Sequence, residues 1–276
     1  SASGLASGPA SNFGPAPGPG PSSASRAASA SATGGGELNF TSSVELSNFG
    51  VLGFDSEHHC GGGEPQDKNS TCIVDPAGLT YIQPPGGPRG AGGASGAIYG
   101  WLGIGGSECF PLDVVAAVQE PADAYYKPYL RNGRVVHVIH IASPDFRQTY
   151  SEDEAVAALV VAYQNILRQF VLSDQQVLRL LPVSGGIFAG PFVHRIPAMT
   201  WRAMRQAFEA LQVYERRLLI TKDIHMCIFA KEEFSAWEKA NRGGGGEVET
   251  SRMADANSHQ SQLSSAVGNS SMERQR

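Results

Sequence analysis

The stretch from Val177 to Phe192, VLRLLPVSGGIFAGPF, constrains this chain more than any other. It opens with apolar residues suited to a buried strand: Leu178, Leu180, Leu181 and Val183. It then breaks into Ser184, Gly185, Gly186, Ile187, Phe188, Ala189, Gly190 and Pro191, and a helical pattern begins near Pro197. A strand feeding a glycine-rich turn ahead of a helix is where α/β proteins hold phosphate. Glycines remove Cβ atoms, so consecutive backbone N–H groups can approach an anion. The same residues also suit a plain tight turn between a buried strand and a helix, because a short glycine motif is weak alone.

Composition sets the frame around this stretch. Residues 1 to 36 are almost all Ser, Ala, Gly and Pro, with Arg26 their only charge. Residues 243 to 276 are polar and aperiodic. Neither segment holds enough apolar surface to offset its ordering entropy, so both are expected to be disordered tails. Residues 37 to 242 between them are the right size for one domain. The formal net charge is −5, which argues against a protein that grips nucleic acid by neutralising phosphates. It leaves room for a small anion held by backbone amides. Cys60, Cys72, Cys109 and Cys227 are scattered, with no Cys-x-x-Cys pair. They read as reduced thiols in an intracellular protein, cytoplasmic or nuclear. His58, His59 and Cys60 are adjacent, but neighbours in an extended segment point to opposite faces, and no metal site or cofactor is expected. No secretory apolar core opens the chain, and no run is expected to approach the ~20 apolar residues of a membrane span.

Leu38, Phe40, Val44 and Leu46 alternate in strand fashion, and a second apolar piece, Val51 to Phe54, ends at Asp55. Thr71 to Val74 predicts a buried strand, and Leu79 to Gly93, rich in Pro and Gly, a long loop. Ser95 to Ile104 predicts a helix, and Pro111 to Tyr126 a further one interrupted near Pro121. Arg134 to Ala142 reads as a strand with His137 and His140 on opposite faces, each expected to bond locally. Ser151 and Glu154 form a capping box. Val156, Leu159, Tyr163, Ile166 and Phe170 then step along one helical face. The helix after Pro197 is expected to turn Met199, Ala203, Ala207, Ala210 and Tyr214 inward. Ile224 to Phe229 predicts a last strand, and Glu232 to Arg242 a last helix bearing Phe234 and Trp237. Strands alternating with helices predict an α/β fold with a largely parallel sheet and ligand sites at the carboxyl ends of the strands. Two loops at those ends are glycine-rich, and a phosphate-bearing ligand between them is their simplest use.

Two common phosphate motifs are missing. No Gly-Lys-Ser/Thr occurs, and Gly90-x-Gly92 meets Ser95 where a dinucleotide fingerprint needs its third glycine. The loops instead resemble those of the macro domain, the ADP-ribose-binding module. Ile73 to Gly78, IVDPAG, is similar to that family's Val-Asn-Ala-Ala-Asn strand end. Gly92 to Tyr99, GGASGAIY, is similar to its Gly-Gly-Val-Asp-Gly-Ala-Ile-His. Val136 to Pro144 looks like its central strand, Leu181 to Gly190 like its second phosphate loop, and Cys227 to Trp237 like its last strand and helix. The pieces follow the family's order and span about residues 37 to 242.

The resemblance implies a three-layer α/β/α fold with a mixed, largely parallel central sheet. It implies that Asp55 accepts from the adenine amino group and that Phe229 lies by the adenine, against the alternative that Phe229 is ordinary core. Ser184, Gly185, Gly186, Ile187 and Phe188 would wrap the diphosphate, Phe188 also covering the distal ribose. Gly92, Gly93, Ala94, Ser95 and Gly96 would form the opposite wall, with Asp75 and Ala77 at the strand end between. The departures bear on mechanism. The Asn that fixes the distal ribose in hydrolysing members is Gly78 here, and the Asp that orients water is Ser95. Asp75 replaces the first Asn, and its carboxylate would repel a diphosphate unless it faces away. Three readings stay open. One is a reader of ADP-ribose or mono-ADP-ribosylated protein with little or no hydrolysis. The second is an ADP-ribosyl hydrolase or O-acetyl-ADP-ribose deacetylase whose water is activated by substrate phosphate, Asp75, His140 or Asp145. The third is a degenerate scaffold that meets protein or RNA. A monomer is expected, with neither membrane nor nucleic acid as the main partner.

Overall fold

The computed structural model describes residues 40, 44–53, 70–148 and 151–243. Both tails, Asp55 and the His58–Cys60 run lie outside the described residues. Six strands form one sheet: β1 (Val44–Ser47), β2 (Thr71–Ala77), β3 (Ala124–Arg131), β4 (Arg134–Ala142), β5 (Val177–Leu180) and β6 (Asp223–Cys227). Their spatial order is β1-β6-β5-β2-β4-β3. Every pairing is parallel except β3 with β4, so the sheet is mixed and mostly parallel.

Side-chain alternation sends successive residues to opposite faces. On one face Cys72, Val74, Ile139, Ile141, Leu178, Leu180, Ile224 and Met226 meet residues of α4 (Glu152–Ser173), α5 (Ile196–Glu209), α6 (Val213–Leu219) and α7 (Lys231–Gly243). On the other, Ile73, Ala77, Val138, Ala142 and Cys227 meet α1 (Leu79–Ile82), α2 (Gly93–Leu102) and α3 (Leu112–Ala117). The result is a three-layer α/β/α sandwich with two separate cores, as expected.

The clearest local signal is fully realised. Ser151 Oγ accepts from the Glu154 N–H at 3.3 Å, and the Glu154 carboxylate accepts from the Ser151 N–H at 2.8 Å. Glu152, Asp153 and Glu154 also favour the positive end of the α4 dipole. At 22 residues α4 is long and apolar enough to cross a membrane, contrary to the expectation that no run approaches a span. Its Leu159, Tyr163, Ile166 and Phe170 instead fill the core beneath the sheet.

Three expectations are corrected. Residues 111–126 are not one helix. α3 stops at Ala117, and Ala124 begins the edge strand β3. Pro128 sits in that strand because an edge strand tolerates a residue without an N–H. Asn132 (φ 50°) and Gly133 (φ 76°) make the two-residue turn to β4, which needs positive φ at both positions. Residues 79–93 are not all loop, since they contain α1 and a 3₁₀ turn at Pro88–Gly90. The helix after Pro197 ends at Glu209, and a second capping box, Gln212 with Glu215, starts α6. Ala210 and Tyr214 are therefore turned out to solvent rather than inward, Tyr214 being 61% exposed.

Candidate functional site

Four strand ends meet at the carboxyl edge of the sheet, and the residues there fall into two groups. The first group is turned inward. Asp75 of β2 and His140 of β4 are register partners on adjacent strands, and both are wholly buried. The Asp75 carboxylate accepts from Ser95 Oγ at 2.7 Å, from the Tyr99 hydroxyl at 2.7 Å and from His140 Nδ1 at 2.8 Å. His140 Nε2 meets the Tyr129 hydroxyl at 2.8 Å. With the proton on Nδ1, the imidazole donates to Asp75 and accepts from Tyr129, so both ring nitrogens are satisfied. Burial, and then the neighbouring Asp75, push the Tyr99 hydroxyl far above the usual tyrosine range, so it stays a donor. Phe110 packs edge-on against His140 at 5.3 Å and closes the group off.

The second group is turned outward. After β5 the chain passes through Ser184, which holds φ 58° and is buried. Its Oγ donates to the Pro144 carbonyl at 2.6 Å. Tyr163 of α4 accepts from the Val183 N–H at 3.0 Å; burial pushes this hydroxyl up to about 12. Phe146 N–H donates to the Phe188 carbonyl at 2.9 Å. Gly190 holds φ 54°, and a Cβ there would lie 2.2 Å from the Phe146 carbonyl oxygen, so only glycine lets the two loops approach. These ties fix the loop from behind. The N–H groups of Ser184, Gly186, Ile187 and Phe188 take no acceptor among the described residues. Gly186 and Ile187 are exposed, and a Cβ on Gly186 would meet nothing within 4 Å. Consecutive free N–H groups on a rigid loop form an anion-binding nest.

On the other glycine-rich loop, α2 begins at Gly93, which has φ 57°. Its first-turn N–H groups, Gly93, Ala94 and Ser95, carry no intrahelical bond, as at any helix start. Gly96 is pressed against the Ala91 carbonyl, 2.5 Å from where its Cβ would stand, so its role is close packing. The Pro84–Ala91 segment is tied to the stretch at 107–108. Arg89 N–H donates to the Ser107 carbonyl at 3.2 Å, and Gly87 abuts the Glu108 carbonyl.

Between the two loops lies Gly78. A Cβ there would stand 2.6 Å from Cζ of Phe188 and 3.3 Å from Cδ2 of Tyr81. The Arg147 guanidinium lies over the Phe188 ring at 5.1 Å. Arg147 also binds Asp145 through Nε and Nη2 at 2.5–3.0 Å, and this holds the Asp145 carboxyl below its usual range.

Ser184 to Phe188 and Gly92 to Gly96 thus come to the same sheet edge. Asp75 does not face that edge, because three donors hold its carboxylate inside. Ala77 is likewise buried, and its carbonyl accepts from the Ser143 N–H at 2.7 Å. Phe229, two residues beyond β6, is 47% exposed, so it is not the ordinary core residue of the alternative reading. Asp55 lies outside the described residues. Among the described residues no cluster of His, Cys, Asp and Glu could hold a metal. Sequence reasoning passed over Tyr163, Tyr81 and Arg147 as site residues and named Asp145 only as a candidate to activate water. Tyr163 was visible only as one apolar step of α4, and its hydroxyl target is a backbone group 20 residues on.

No protein-family model matches the chain, and no curated protein matches it in sequence. Solved structures of macrodomains, the family its motifs resemble, do match in shape. A mutant macrodomain of Oceanobacillus iheyensis aligns at 16% identity with a TM-score of 0.48, covering 72% of this chain and 90% of that one. The same organism's macrodomain with ADP gives 15% and 0.44, covering 70% and 87%. A Trypanosoma brucei macrodomain in complex with ADP-ribose gives 17% and 0.44, covering 71% and 68%. At these values the likeness is one of fold and says nothing of function.

Proposed function

We propose that this chain binds ADP-ribose, free or attached to protein, at the carboxyl edge of its sheet, with little or no hydrolysis. The observation that carries this reading is the Ser184–Phe188 loop, whose N–H groups at positions 184, 186, 187 and 188 have no acceptor among the described residues while Ser184 Oγ, the Gly185 N–H and the Gly186 and Phe188 carbonyls are tied down. Such a loop suits a diphosphate, whose oxygens accept several N–H bonds at once. The start of α2 adds N–H groups and the positive end of a helix dipole from the opposite wall. Exposed Phe229 offers a flat face for the adenine at the end of β6. Asp55 remains the candidate acceptor for the adenine amino group.

The same geometry supports binding over cleavage. A general base must reach a water beside the substrate. Asp75 and His140 are wholly buried and bonded to each other, and Asp145 is engaged by Arg147. The Ser95 hydroxyl donates its hydrogen bond inward to Asp75, and an unassisted hydroxyl is a poor base toward water.

Titration calorimetry of ADP-ribose into the full chain, with AMP and ribose 5-phosphate as controls, tests the reading. Micromolar binding that exceeds both controls is expected. Absence of binding at millimolar ligand would leave the scaffold alternative in its place.

A further inference from the structure

The strand order sets the order of the site. Along the carboxyl edge, the ends of β6, β5, β2 and β4 follow one another, bringing Phe229, the Ser184–Phe188 loop, Gly78 and the Ser143–Arg147 segment into line. A nucleotide with its base on Phe229 and its diphosphate on the 184–188 loop therefore places whatever lies beyond the diphosphate at Gly78. The Phe188 ring stands there, 2.6 Å from the position of a Cβ at residue 78. It fills the volume that any side chain at 78 would need. Tyr81 of α1 packs against the same spot, 3.3 Å away. The polar side chains nearby are already engaged or buried. Arg147 is held by Asp145 while lying over Phe188. Ser95 donates to Asp75, and the Ser143 hydroxyl is enclosed. The Tyr81 hydroxyl is what this end has left to offer a sugar.

A ribose pressed against these rings loses water from its hydroxyls and regains few partners. Desolvating a hydroxyl without replacing its bonds offsets the favourable packing of sugar against ring. We propose that the site selects a nucleoside diphosphate and that the terminal ribose of ADP-ribose adds little to its affinity. Phe188 and Gly78 together are the specificity-determining pair. This rests on the reading of the 184–188 loop as a diphosphate cradle.

The test is calorimetry of ADP, ADP-ribose and AMP into the full-length chain, side by side. ADP and ADP-ribose are expected to bind within about fivefold of each other, both well above AMP. A preference for ADP-ribose larger than about fivefold overturns the proposal while leaving the binding function intact. Failure of all three ligands overturns both. A second arm uses the double variant Gly78→Asn with Phe188→Ala, which replaces the ring by a hydrogen-bonding side chain. It is expected to raise the ADP-ribose to ADP preference at least about fivefold over the wild-type ratio. An unchanged ratio in a variant that melts cooperatively also overturns the assignment. The wild-type ratio decides the matter if that variant fails to fold.

Discussion

Asp75 and the Ser184–Phe188 loop sit on neighbouring strands of one sheet, and they treat polar groups in opposite ways. At Asp75 every donor and acceptor is matched inside: Ser95, Tyr99, His140 and Tyr129 leave nothing for a ligand. At the loop Ser184 Oγ and the Gly186 and Phe188 carbonyls are matched inside, while the N–H groups at 184, 186, 187 and 188 have no acceptor among the described residues. A satisfied buried network contributes to rigidity and specificity of the core. An unsatisfied but solvated row costs little in the free protein and becomes useful when an anion arrives. The titratable residues Asp75 and His140 thus serve the fold, whereas the loop glycines are where the proposed ligand would find free N–H groups.

The contrast can be broken most forcefully at its buried side. Asp75→Ala leaves the His140 Nδ1–H and the Tyr99 hydroxyl without an acceptor in a closed space. Leaving a buried donor unsatisfied costs about 1–3 kcal/mol, roughly 2–6 kcal/mol for the two. For a domain of this size that lowers the melting temperature by roughly 4–24 °C, which a thermal melt reads directly. A shift of less than about 2 °C would show the network to be incidental.

Gly186→Glu acts on the open side. A Cβ at 186 meets nothing within 4 Å, so there is open space for the side chain. The new carboxylate enters the anion path, and ADP-ribose affinity is expected to fall by about 100-fold or more, roughly 2.7 kcal/mol. The melting temperature should stay near that of the wild type. Unchanged affinity in calorimetry would remove the loop from the site.

Tyr163→Phe sharpens the line between the two regions, because it strikes the support of the loop from behind. It deprives the buried Val183 N–H of its acceptor, at a cost of about 1–3 kcal/mol. Both stability and ligand affinity should drop, whereas Gly186→Glu moves affinity alone. Ser151→Ala is the smallest and serves as the control. Loss of the α4 cap costs about 1 kcal/mol, lowers the melting temperature slightly and leaves affinity untouched. A binding change in that variant would show that global stability leaks into the affinity readout.

Much of the fold was legible because its signals are local. The capping box at Ser151 and Glu154 needs residues three apart. The alternation of β4 needs residues two apart. The β3–β4 hairpin was missed: Pro111 to Tyr126 read as a helix, and the strand that begins at Ala124 carries Pro128 in its middle. Proline excludes a central strand and not an edge strand, and which strand forms the edge is a property of the whole sheet.

The site divides along the same line. By itself the sequence determined that a rigid, glycine-rich loop follows β5, that a second precedes the body of α2, and that the chain is α/β. Chain stereochemistry and hydrophobic periodicity settle those points within a few residues. Only the tertiary structure decided that Asp75 faces inward, since alternation assigns a face and not what covers it. It also decided that Tyr163 holds Val183 and that Phe188 occupies the space beside Gly78. Those contacts join residues 20 and 110 positions apart, and packing of separate elements, not local conformational preference, brings them together.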